Sequence, residues 1–370
     1  MPNNYISEQK NLASIVGSSS SSSSDESLSV VNSELIINLL AKSNSSIVFT
    51  REYEHLLGIV SQNSLSSLTF SFFEMPHPSG IAVVPDGNFY VISTRTPHIL
   101  YKFKRLFANN KDLLFPTVMH VLPGSLYAHE LYYSNYRNKL VVNSTGLNEL
   151  SLLTIEHDYA SHNCFYRPHF FSRASTNCTQ INSFSERSSN CFVFTCFSFT
   201  ESTYKPWKDD KGPLQLGSLV EVSDGNETIL VTGLTCPHSA RYYYDDIYYC
   251  NSGFGTLSKY SRKTNISIDL LNLKSFTRGL AFVDNYIIVG LSKVLPNKTQ
   301  YAPGVSPQTS RCGLAFIDLT TSQEVASISW DSGMQIFDVQ IIPNSFSTAP
   351  LFPQSRCSNH SDPSQDFYSF

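Results

Sequence analysis

His77-Pro-Ser-Gly-Ile-Ala-Val-Val, joined by a turn to Phe89-Tyr-Val-Ile, is the phrase on which the fold is read. A polar residue stands at the mouth of a short apolar strand, and a turn leads into a second strand. The phrase returns as His129-Glu-Leu-Tyr-Tyr with Lys139-Leu-Val-Val, and as Gln180-Ile-Asn-Ser-Phe with Cys191-Phe-Val-Phe. It comes back as His238-Ser-Ala-Arg-Tyr-Tyr with Ile247-Tyr-Tyr-Cys, and as Arg278-Gly-Leu-Ala-Phe with Tyr286-Ile-Ile-Val-Gly. A last copy, Gln335-Ile-Phe-Asp-Val-Gln-Ile-Ile, has no second strand after it. Hairpins repeating every roughly 40 to 60 residues are the signature of a β-propeller. Ser46-Ile-Val-Phe-Thr, Gly58-Ile-Val-Ser and Leu68-Thr-Phe-Ser-Phe-Phe read as three strands without an innermost partner. The last phrase supplies that partner. The expected fold is all-β, a six-bladed propeller over 46–344 in which the two ends of the domain share one blade, leaving no open sheet edge at the closure.

Composition fits one large soluble domain. Of 370 residues, 41% are hydrophobic and 13% aromatic, against 15% charged, which is ample material for a core. Residues 1–45 read as a disordered tail, because the unbroken serine run Ser18 to Ser24, followed by Asp25 and Glu26, cannot bury enough apolar area to offset its ordering entropy. Within it, 34–42 can be helix or strand. Residues 345–370 return to Ser, Pro and Asn and read as a flexible C-terminal tail. Net charge is −4 and no segment concentrates Lys and Arg, so nucleic acid is not an expected partner. No hydrophobic leader and no stretch long enough to span a bilayer is read, so a cytoplasmic chain without a membrane span is expected. There the eight cysteines, none in a CxxC pair, are reduced packing thiols, and sequons such as Asn143 and Asn226 carry no weight.

In a propeller the first residues of each innermost strand converge on the central channel. The phrase therefore predicts a polar ring of His77, His129, Gln180, His238, Arg278 and either Gln335 or Asp338. Such groups must be paired by something, either a polar ligand or the water of a wet channel. Arg241 and Arg278 offer guanidinium forks suited to carboxylate or phosphate, or they bridge blades through backbone carbonyls. Three histidines have the chemistry for a transition metal, but their separate blades argue against a tight site; Asn251, Asp338 and Glu130 are the oxygen donors for calcium. No metal site and no cofactor is assigned. Two long insertions, Glu201 to Pro213 and Pro296 to Pro307, are rich in polar residues and Pro or Gly and read as surface loops. Trp207 with Lys205 and Lys208 either forms a lid that stacks a ring or covers a blade edge. Gly-x-Ser-x-Gly is missing and Ser239 directly follows His238, so no nucleophile is identified.

Thr235-Cys-Pro-His-Ser-Ala-Arg-Tyr, Asn251-Ser-Gly-Phe-Gly, Phe276-Thr-Arg-Gly-Leu-Ala-Phe, Val289-Gly-Leu-Ser-Lys and Cys312-Gly-Leu-Ala-Phe-Ile-Asp resemble a largely bacterial family of conserved hypothetical, propeller-like proteins of unknown function. The likeness runs from about 47 to 344. Cys178-Thr-Gln-Ile-Asn stands where that family tends to have Cys-His-Leu-Asn, and His129-Glu where it tends to have His-Asp. The resemblance implies a fold and no activity. Three functional readings follow. The first is a binding module for a small polar or anionic ligand, a glycan or a peptide at the central funnel. The second is a metal-dependent hydrolase or lyase resembling six-bladed lactonases and strictosidine-synthase-like enzymes. The third is a scaffold for a protein partner. The strand-opening residues and both insertions are expected at one end of the propeller.

Overall fold

Short runs of β-branched and aromatic residues, punctuated by Gly, Asn, Asp and Pro, favour four-stranded meanders, and six of them close into a ring. The computed structural model describes residues 28–350 except 64–66, 96–97, 109–110, 123–125, 157–159, 170–176, 203, 210–211 and 346–348. The serine run and most of the C-terminal tail lie outside the described residues.

The first blade comprises Pro78–Val83, Phe89–Ser93, His98–Ala108 and Lys111–Leu122. The second is Ala128–Ser134, Lys139–Ser144, Glu149–Ile155 and Ala160–Tyr166. The third contains Ser185–Ser188, Cys191–Cys196, Gly217–Ser223 and Asn226–Leu234, and the fourth Pro237–Tyr243, Asp246–Asn251, Thr256–Ser261 and Ile266–Asn272. The fifth runs through Phe276–Val283, Tyr286–Ser292, Gly313–Asp318 and Gln323–Trp330. The closing blade sets Asp338–Pro343 innermost against Ser45–Arg51, Leu56–Gln62 and Leu68–Glu74. Its seam is antiparallel, pairing Ser45 with Pro343 through to Thr50 with Asp338, so the shared blade expected from the two incomplete phrases is present.

Each pair of neighbouring blades encloses its own apolar cluster. Ile81, Phe89 and Phe103 meet Val48, Leu57 and Ile59 between the closing and first blades; Leu280 and Val289 meet Tyr248 and Leu257 between the fourth and fifth. The chain ends add to this. Leu28–Val31 joins the fifth blade, antiparallel to its outer strand, and Ala349–Pro350 pairs with Leu113 and Leu114 on the outer strand of the first. The segment left open between helix and strand is the helix Ser33–Ser43, started by the Asn32 side chain accepting from Leu35 N. Its i, i+3, i+4 set Ile36, Leu39 and Leu40 packs on Phe49 and Trp330, because one apolar stripe on a short helix must be covered. No described helix is long and apolar enough to cross a membrane.

The innermost strands are bulged where the sequence phrase begins: between Pro78 and Ile81, His238 and Arg241, and Thr277 and Leu280. A bulge bends the strand and re-aims side chains, here toward the axis. At two of these bulges a residue takes the left-handed conformation, Ser239 at φ 57 and Gly279 at φ 80. Side chains then tie each blade to the start of the next: Thr50 donates to Ser79 O at 2.6 Å, Asn143 to Ser183 O at 3.0 Å, Asn182 to Pro237 O at 2.9 Å, Ser252 to Thr277 O at 2.5 Å and Ser292 to Ile336 O at 3.1 Å. At the first-to-second junction the backbones themselves approach, and a Cβ on Gly80 would lie 2.3 Å from Leu131 N. Gly80→Ala is therefore expected to cost about 1–3 kcal/mol or more, as overpacking against rigid backbone does, read as a lowered urea midpoint with an unchanged slope.

Candidate functional site: the propeller axis

Because strands alternate within each blade, the entry of every innermost strand and the loop between its second and third strands share one end of the ring. That end carries both insertions. Pro206–Lys208 is a single helical turn, and Trp207, only 3% exposed, packs edge-on against Phe197 at 5.8 Å. Phe197 and Phe276 in turn meet the His238 ring at 5.4 and 5.5 Å. Tyr301 of the second insertion lies under Lys208 Nζ at 5.8 Å. The insertions pack on each other over the entry of the fourth and fifth blades, and Trp207 is a buried wedge rather than a presented stacking face.

Beneath them the axis is spanned by two arginines. Arg241, from the fourth blade, crosses to Glu130 of the second blade through Nη2 and Oε1 and lies 3.9 Å from Asp338 Oδ1 of the closing blade. Its Nη1 donates to Ala240 O at 2.9 Å. Asp338 is held in turn by the backbone N–H groups of Ile81 and Val339, at 2.9 and 2.8 Å. Arg278, from the fifth blade, lies over the Phe337 ring at 3.2 Å and donates from Nη2 to His129 Nε2 at 2.9 Å. The His129 and His238 rings stack at 5.8 Å. His238 Nδ1 faces Cys236 O and Ser252 Oγ, each at 2.9 Å; since the carbonyl can only accept, Nδ1 carries the proton and Nε2 is an acceptor. His129, accepting at Nε2, carries its proton at Nδ1.

Burial sets the charge states. Desolvation, reinforced by the charge of Arg278, holds His129 and His238 well below the usual histidine range, so both are neutral at pH 7. Burial brings Arg278 down to about 10, which still leaves it charged. Burial pushes Glu130 and Asp338 upward, and the charge of Arg241 beside them pulls the other way and favours their ionised forms. For Arg241 burial acts downward, but the carboxylates of Glu130 and Asp338 outweigh it and raise the pKa. Arg241 thus takes both axial carboxylates. Arg278 has no carboxylate within ion-pair distance among the described residues; the strongest acidic influence on it, Glu52, is engaged by His77 Nδ1 at 3.1 Å and Arg95 Nε at 2.8 Å.

His129, His238, Arg278 and Asp338 of the expected ring line one axial cavity, together with Glu130, Asn182, Ser239 and Phe337. Arg241 adjoins it through Glu130. His77 does not line it: at φ 43, its ring lies tilted against His55 at 4.2 Å and meets Glu52. Gln180, at φ 50, is not among the residues lining it, and its place is taken by Asn182 two residues on, whose Oδ1 accepts from Thr195. Gln335 N faces Glu54. Asn182 and Phe337 were legible only as members of the phrases Gln180-Ile-Asn and Ile336-Phe-Asp; choosing between neighbours needed the bend of the strand entry. The space for the centre of a water molecule in this cavity is only about 10 Å³, enough for one water-sized group. Among the described residues no three His, Cys, Asp or Glu side chains come together as a metal site: Glu130 and Asp338 are committed to Arg241, and Asn251 Oδ1 accepts from Thr235 N at 2.9 Å.

Comparison with known proteins is in keeping with this architecture. A chain from the crystal structure of a nidogen/laminin complex superposes with a TM-score of 0.55 over 81% of this chain and 99% of that one, at 9% identity, a likeness of fold alone. A luciferin-regenerating enzyme superposes with a TM-score of 0.47 over 70% of this chain and 78% of its own, at 11% identity. No curated protein matches the sequence. The pattern of the family described as Domain of unknown function (DUF4915) matches residues 34–350, and the chain belongs to that family.

Proposed function

We propose that the propeller is a binding module whose axial site accepts a small anionic group, such as one end of a carboxylate, against Arg278. One observation carries this reading: a guanidinium only 7% exposed, backed by an aromatic ring and bonded to a neutral histidine, has no carboxylate in ion-pair reach among the described residues. A buried charge left unpaired costs several kcal/mol, and an anion entering beside it recovers part of that cost through charge-assisted hydrogen bonds. Asn182, Ser239 and the neutral His238 add polar groups around the same point, while the wedge of Trp207 and Phe197 limits water access. The narrow cavity favours an end-group over a whole organic molecule.

Formate should raise the melting temperature of the wild type more than propionate at equal concentration and ionic strength, because the axial space admits a water-sized group. Arg278→Met should fold, since it removes a buried charge that no carboxylate pairs and costs one hydrogen bond to His129, about 1–3 kcal/mol, and should lose the formate response in a thermal-shift titration. An undiminished response in that variant would exclude the site.

Acid should weaken the fold through the two axial histidines. The unfolded chain takes up their protons near pH 6.5 whereas the folded chain resists, so below that pH the unfolded state binds more protons and stability falls. This contribution is fully present above 6.5 and is lost as pH drops toward the depressed folded values. Melting curves between pH 8 and pH 5 should show a steeper decline for the wild type than for His129→Gln/His238→Gln; parallel slopes would contradict the assignment.

A further inference from the structure

At the opposite end of the ring, the first and second blades separate into a cleft of about 580 Å³, within the roughly 300–1,000 Å³ that small-molecule sites occupy. It lies between the turn 84–88, which follows Pro78–Val83, and the turn before Lys139. Tyr90 forms one wall and Tyr133 the other, both half-buried against the interblade cluster that contains Leu140 and Leu153. The positions of the two rings are set: Lys102 Nζ stands over Tyr90 at 5.5 Å, and Tyr133 Oη donates to Asn138 Oδ1. Two cations, Lys102 and Lys139, line the cleft. The lysines that form ion pairs among the described residues are Lys42 and Lys259, so neither cleft lysine is neutralised by one. The one carboxylate in the cleft lining, Asp86, accepts from Asn88 N at 2.9 Å and Asn88 Nδ2 at 2.7 Å.

We infer that this cleft is a second ligand site, distinct from the axis, for a ring compound carrying a carboxylate. The ring lies between the tyrosines, where a sugar or aromatic face gains from the apolar surface and the electron-rich π faces. The carboxylate meets the lysine ammonium groups, whose charge no carboxylate among the described residues pairs. The axial cavity lacks the room for such a molecule, and the cleft lacks the buried guanidinium that selects a bare anion, so the two sites have separate ligands.

Glucuronate and 4-hydroxybenzoate, with glucose and phenol as their uncharged counterparts, distinguish a sugar acid from an aromatic acid in isothermal titration of the full chain. At least one acid should bind the wild type at least tenfold more tightly than its counterpart. That binding should weaken at least tenfold in Lys102→Met/Lys139→Ala, whose altered side chains are partly or fully exposed, and remain in Arg278→Met. Tyr133→Leu, which keeps apolar volume in the interblade core, should weaken it too, with far-UV circular dichroism and melting temperature confirming the fold. Equal affinity of acid and counterpart, no binding of either acid at millimolar concentration, or loss in Arg278→Met with retention in the lysine variant would each overturn the proposal. The last of these would place the acid on the axis and leave the axial reading standing.

Discussion

The ion pair between Arg241 and Glu130, with Asp338 beside it, is the interaction around which the axis is organised. It connects the fourth, second and closing blades across the centre, where a ring of wedge-shaped sheets would otherwise leave polar strand ends facing one another. Its members are buried, so each depends on the other for compensation of lost hydration. Asp338 extends the linkage by receiving the N–H of Ile81, which fastens the closing blade to the first at the level where the chain's two ends are joined. Removing Arg241 would leave two buried carboxylates without a counter-charge, and removing Glu130 would leave Arg241 only the more distant Asp338. That sets this cluster apart from Arg278, whose charge is buried without such compensation and is therefore the part of the axis suited to an exchangeable partner.

A ring closed by two distant segments has one seam whose strength rests on pairing between chain ends. Here the seam strands Ser45–Arg51 and Asp338–Pro343 are supported from outside. Leu28–Val31 covers the outer edge of the fifth blade, the helix Ser33–Ser43 packs over Phe49 and Trp330, and Ala349–Pro350 pairs on the outer strand of the first blade. The blades on either side of the closing blade are the two with five strands. Fully burying aliphatic side chains such as Ile36 and Leu40 contributes about 1.5–3 kcal/mol each, so the segment before the first propeller strand reinforces the seam as well as covering an edge that would otherwise template pairing with another chain.

The two ends of the propeller are chemically different. At the entry end the insertions bring Trp207, Phe197 and Phe276 down onto His238, making an aromatic boundary above a small, highly polar axis. At the other end the hairpin turns are short and the first two blades part into an open, tyrosine-walled cleft. Low dielectric strengthens electrostatics at the first, whereas the lysines of the second remain in contact with water. A rigid β scaffold allows both because the loops and turns carry the differences while interblade packing stays the same.

The amino-acid sequence by itself determined the blade count and the closure, since the phrase that begins each blade encodes local facts: a strand period of two, turn residues at its ends, and a polar residue at the strand entry. His129, His238, Arg278 and Asp338 could be named as axial residues for that reason. Only the tertiary structure decided that Asn182 rather than Gln180 lines the axis, because Gln180 stands in the left-handed region just before the blade's first bridge, where strand alternation assigns no direction. It also decided which arginine is neutralised. Arg241 and Arg278 both belong to the bulged entries of neighbouring innermost strands, but Arg241 reaches Glu130 and Asp338 while Arg278 meets His129 and Phe337. Pairing across a ring depends on the position of blades far apart in the chain, and no local pattern carries that distance.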